Sequence, residues 1–154
     1  MTDDDFDALW TNLVQRSHEP MHTALTADER VFYAVNLLRG SVPRSGFIGY
    51  FENWSGADIS AAHRGLRVLG LETASRLLAA AQTLVLGDQQ LPDGAVPLTV
   101  FTDSLTEEEH EEMSDRLDEA LDPIEKQFYP LDDEIYEALC SFADAHQLKP
   151  IKPS

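Results

Sequence analysis

Residues 102–125, TDSLTEEEHEEMSDRLDEALDPIE, hold eleven Asp and Glu residues and a single base, Arg116. A segment this acidic joins a fold only if its few apolar residues share one side. Met113, Leu117, Ala120, Leu121 and Ile124 do so at helical spacing, which predicts an amphipathic helix with one narrow apolar stripe, opened by Ser104 or Thr106 as N-cap. Asp122 followed by Pro123 reads as a fresh cap and first-turn proline, predicting that the helix breaks and restarts there. At about 100° per residue, Glu108, Glu111, Glu112, Asp115, Asp118, Glu119 and Asp122 fall on the side opposite the stripe, as an outward ridge.

Helical punctuation governs the rest of the chain. Phe6, Leu9, Leu13 and Val14 share a face of a helix that starts on acids and ends at Pro20. Thr26 and Glu29 have capping-box spacing, and Gly40 is the expected C-terminal stop of the helix they open. SVPRSG (41–46) reads as a turn, followed by a short aromatic helix stopped at Gly56, then one capped by Asp58 and stopped at Gly70, then one ending at Gly87. Residues 88–104, with two prolines and a Pro-Asp-Gly turn, read as one long loop. After Pro130 a last helix turns Leu131, Ile135, Leu139 and Phe142 inward. The expected architecture is all-α: a single domain over 1–154, a bundle of about six or seven helices.

Composition narrows the function. A hydrophobic share of 43% supports a packed core, so acidity has not replaced it. The formal charge of −17 repels nucleic acid and anionic membrane surfaces, so neither direct nucleic-acid binding nor membrane association is expected. The charge is concentrated: residues 103–144 carry sixteen acids against two bases. The lone Cys140 permits no internal disulfide and, with no signal segment at the N-terminus, points to the cytoplasm. Cys140 sits in an apolar helical setting, where cysteine behaves as a small hydrophobe.

An acidic helix face is usually only solvated. Here, like charges three or four residues apart repel by a few tenths of a kcal/mol per pair, a destabilisation that brings folding nothing in return. A helix rising about 1.5 Å per residue, half of it acidic, has a linear charge density comparable to that of duplex DNA. Such a ridge would compete with DNA for a basic groove through charge-assisted hydrogen bonds, and its binding would weaken with salt.

Beside the ridge, residues 44–85 carry Gly46-Phe47 at a helix start, Tyr50-Phe51 followed by Asn53, a Ser55-Gly56 stop and a helix end over Leu66 to Gly70. Residues 128–145, FYPLDDEIYEALCSFADA, add a closing helix. Together these resemble the bacterial DNA-mimic protein family, acidic helical domains long catalogued as a domain of unknown function, over roughly residues 26–147. The resemblance implies an all-α fold and a protein inhibitor that occupies the DNA site of a transcription factor or similar basic DNA-binding protein. It implies no catalytic motif and no cofactor, and the ridge is read from helical geometry alone. A homodimer is compatible with this role, since a two-fold would extend the ridge.

Two rivals share some of these features. An immunity or antitoxin protein neutralising a basic toxin or nuclease would use the same complementarity. A metal-dependent helical-bundle enzyme would use Glu107, His110 and Glu19, because Glu19/His22 and Glu107/His110 both have Glu-x-x-His spacing. Pro20 interrupts the first of those pairs, and Glu107 points away from the stripe that His110 adjoins. His63 and Arg64 are candidates for lining a pocket, and Trp54 for touching a partner.

Overall fold

A computed structural model describes residues 1–18, 25–87 and 105–151. The reading of 88–104 as a loop, the Glu19/His22 pair and the stop at Pro20 lie outside these residues. Six α-helices and one 3-10 turn make up the described chain: α1 Asp3–His18, α2 Ala27–Asn53, α3 Gly56–Val68, α4 Glu72–Leu86, α5 Glu107–Phe128, the turn Tyr129–Leu131 and α6 Asp132–Ala145. The all-α class stands, and no strand occurs among the described residues.

Helix α2 is the axis of the bundle, packed against each of the other five. Eight consecutive residues, Val31 to Leu38, are buried, so this helix is enclosed on every side rather than along one stripe. Its start follows the capping-box reading: the Glu29 N–H donates to Thr26 Oγ1 at 3.1 Å and the Thr26 N–H to Glu29 Oε1 at 3.0 Å. Glu29 also takes both Arg16 guanidinium nitrogens from α1, Nη2 at 2.9 Å from Oε1. One carboxylate thus caps α2 and locks α1 to it, at only 4% exposure.

The expected stop at Gly40 and the turn at 41–46 are both corrected, because α2 runs through them with Pro43 inside it. Val42 is fully buried, and its packing outweighs the helix-weakening Gly40 and Pro43, both of which face solvent where a lost backbone bond is met by water. The true break comes at Gly46, with φ 70° and ψ 178°. That backbone region belongs essentially to glycine. A Cβ there would lie 2.8 Å from Glu125 Oε1. Gly46→Ala is therefore expected to destabilise the protein by about 2 kcal/mol in urea denaturation, from backbone strain and displacement of Glu125. A change under about 0.5 kcal/mol would contradict this account of the break.

The next boundary is also corrected. Ser55, not Asp58, caps α3: the Asp58 N–H donates to Ser55 Oγ at 3.1 Å, and the Asp58 carboxylate accepts from the same hydroxyl. Gly56 starts α3 rather than ending its predecessor, and its φ is not positive. Helix α3 crosses α2 closely at Gly65, where a Cβ would come within 2.6 Å of Val35 Cγ2. Gly70 and Gly87 do end their helices in positive φ. Trp54 is half-buried, with Nε1 donating to Ser41 Oγ at 3.0 Å.

Helix α6 returns beside α2 through Arg39, whose Nε donates to Asp132 Oδ1 at 2.9 Å while the guanidinium lies 4.9 Å from the centre of the Tyr136 ring. The Phe6 ring of α1 fills the gap between Phe32 and Tyr136. This leaves one long helix, α5, packed against α2 and α4 along a single side.

Candidate protein-binding face

Helix α5 opens on a second capping box, Thr106 with Glu109, in which the Glu109 N–H donates to Thr106 Oγ1 at 3.1 Å. It then runs unbroken for 22 residues, with Pro123 inside it. The predicted restart at Asp122-Pro123 is therefore corrected. Leu121 and Phe128 are buried on either side of the proline, and the Phe128 ring meets Phe47 edge-on at 5.4 Å, so packing carries the helix across. Pro123 itself faces solvent. The consequence is one continuous rod of about 33 Å.

Burial follows most of the predicted stripe: Leu117 and Leu121 are buried and Met113 and Ile124 half-buried against the core, whereas Ala120, at the stripe's edge, is exposed. Glu108, Glu111, Glu112, Asp115, Asp118, Glu119 and Asp122 are all exposed. In projection they fill a wedge about 120° wide. Asp122 alone is paired, to Lys126 Nζ at 2.8 Å, and its carboxylate raises the Lys126 ammonium above the ordinary lysine range. Among the described residues, no cation lies within ion-pair distance of the other six. Among the described residues, the two arginines that form ion pairs are committed elsewhere, Arg16 to Glu29 and Arg39 to Asp132. Arg116, the one base early in the run, is exposed and flanks the ridge.

Glu125 is an acid of this run with a structural role that the sequence analysis does not assign. It turns inward, where the Phe47 N–H donates to Oε1 at 3.0 Å and the Tyr129 hydroxyl reaches Oε2 at 3.4 Å. It thereby caps the segment of α2 that restarts after Gly46. Glu125 lies about 100° from the stripe centre, and that intermediate position was the only signal that set it apart from the ridge.

The residues of the metal-enzyme reading do not assemble. Glu107 is exposed, while His110 is half-buried with Nε2 3.7 Å from Glu52 Oε1. Glu19 lies outside the described residues. Among those described, no three His, Cys, Asp or Glu side chains converge on a point that would hold a metal. His63 meets Gln82 Oε1 across α3 and α4. No helix among the described residues is long and apolar enough to cross a membrane.

Comparison with known proteins agrees with the resemblance seen in the sequence. The family model of the DMP19-like proteins, the DNA-mimic family, matches residues 23–146. No curated protein and no solved structure is similar enough to count as a match.

Proposed function

This chain belongs to the DMP19-like protein family, and on that premise we propose that it is a non-enzymatic DNA mimic whose α5 ridge occupies the DNA-binding groove of a basic protein and so inhibits it. The observation that carries this reading is the set of seven exposed carboxylates on one continuous helix, six of them without a cationic partner among the described residues. From Glu108 to Asp122 the helix rises about 21 Å, so successive ridge charges are about 3.5 Å apart along the axis. Measured along the axis, one DNA strand carries a phosphate about every 3.4 Å. The ridge therefore presents to a basic groove an axial charge density like that of one strand.

Two further features favour the role. The ridge stands on a helix fixed at its start by a capping box and along its length by core packing, so little ordering is left to do on binding. Charge density also sets the mode of action. Electrostatic complementarity speeds encounter and makes affinity depend on ionic strength.

The test is displacement. Basic proteins retained by the immobilised chain at low salt would be purified, and each titrated on labelled duplex DNA with rising amounts of the acidic protein. Release of DNA at near-stoichiometric protein, suppressed as salt rises from about 50 to 300 mM, is expected. Retained proteins that keep their DNA at a large excess of this chain would sink the reading.

A further inference from the structure

The acidity has a counterpart. Residues 56–87, which include α3 and α4, carry Arg64, Arg67 and Arg76 against Asp58 and Glu72, a net +1 in a chain of −17. All three arginines are exposed, and none lies within ion-pair distance of a carboxylate among the described residues. In a molecule with such an excess of acids, cations without carboxylate partners stand out.

Two of them line a recess. At the elbow between α3 and α4 lies an open hollow of about 370 Å³, bordered by Leu66, Arg67, Leu71, Ser75, Arg76 and Ala79. Its open lining is mostly apolar, with Ala79 exposed and Leu71, 5% exposed, behind it; Leu66 is fully buried and only backs the hollow. Gly70, at φ 71° with nothing within 4 Å of where a Cβ would stand, leaves the mouth open. No side chain caps the first turn of α4, which begins at this hollow. Glu72 on the rim is the one acid beside it.

We propose that this recess docks an acidic, leucine-bearing segment of a partner protein, with the apolar side chain against Ala79 and the edge of Leu71 and the carboxylates held by Arg67 and Arg76. Charge complementarity and the apolar lining together select that occupant. Arg67 and Arg76 suit carboxylates, whose two oxygens match the guanidinium fork. An inorganic anion would leave the apolar lining unused. The inference does not rest on the DNA-mimic reading, because it concerns a different face with the opposite charge. A partner engaging both faces would need a basic groove flanked by an acidic segment, and so would be chosen more narrowly than the ridge alone allows.

The experiment uses the intact protein labelled with nitrogen-15 and an N-acetylated, C-amidated peptide of alternating Leu and Glu. Its Leu–Gln counterpart and inorganic phosphate serve as comparisons. Saturable shifts of the amides around Arg67, Gly70, Ser75 and Arg76 are expected with the acidic peptide, at a Kd of roughly 0.1–1 mM, consistent with two charge-assisted contacts opposed by the net charge. Arg67→Gln and Arg76→Gln should each weaken binding about tenfold with an unchanged helical circular dichroism spectrum. Glu72→Gln should strengthen it several-fold by removing the like charge at the rim. Equal binding of the Leu–Gln peptide, equal shifts from phosphate, or no effect of the arginine substitutions would overturn the proposal. So would shifts at the elbow that grow with protein concentration when peptide is absent, which would assign the face to a second copy.

Discussion

Converting Glu108, Glu111, Glu112, Asp115, Asp118 and Glu119 to their amides is expected to abolish competition with DNA while leaving the protein at least as stable as before. Both halves follow from the same geometry. These six acids are exposed, face solvent from one side of α5, and have no cationic partner among the described residues. The fold loses no ion pair when they are neutralised. It instead sheds ten like-charge contacts at spacings of three or four residues, namely 107–111, 108–111, 108–112, 109–112, 111–115, 112–115, 115–118, 115–119, 118–122 and 119–122. Each such contact opposes a helix by a few tenths of a kcal/mol, so melting should shift upward by a few degrees. A basic groove, by contrast, would lose six charge-assisted contacts, and a thousandfold or greater fall in competing affinity is expected. The two readouts, displacement titration and thermal melting, must move in opposite directions. An amide variant that still displaces DNA would remove α5 from the interface, and one that unfolds would show the acids to be structural.

The second large effect lies far from the ridge. Glu29→Gln should destabilise the protein by about 3 kcal/mol or more, because it leaves Arg16 unpaired beneath a nearly closed surface. The side chains of Arg16 and Glu29 are 9% and 5% exposed, respectively. Burial alone would push the Glu29 carboxyl upward. The hydrogen bonds from Arg16 and from the Thr26 N–H, with the Arg16 charge, outweigh it and hold the group below the usual value of 4.5. A depressed native value means that stability is present above the unfolded value and is lost as pH falls through the native one. The gap between wild type and Glu29→Gln should therefore be widest near neutrality and close as pH falls below about 4.5. Urea denaturation at pH 7 and pH 3.5 measures both. A difference that stays the same at the two values would show that the carboxylate's charge is not what holds α1 to α2.

What could be read directly from the sequence was what depends on local periodicity and capping. The stripe of α5, the Thr26–Glu29 capping box and the ends at Gly70 and Gly87 follow from spacing and residue type, and the ridge follows from the stripe. What could not be read depends on distant neighbours. Gly40, Pro43 and the Asp122-Pro123 pair look like stops in isolation. Burial of Val42, Leu121 and Phe128 overrules them, and nothing adjacent in the chain announces that burial. Glu29 was identified as a cap, but its grip on Arg16 spans thirteen positions. Glu125 lies 78 positions from the amide it caps, and in the sequence only its position at the side of the stripe separates it from the acids around it.

That single inward carboxylate divides α5 into two kinds of position under mutation. The outward acids bear no part of the fold, so a lineage can exchange, add or lose them one at a time and reshape whom it binds. Glu125, seated against the backbone at Gly46 and Phe47, is answerable to the architecture and has no such liberty. Relatives of this protein should therefore diverge in their targets sooner than in their scaffold.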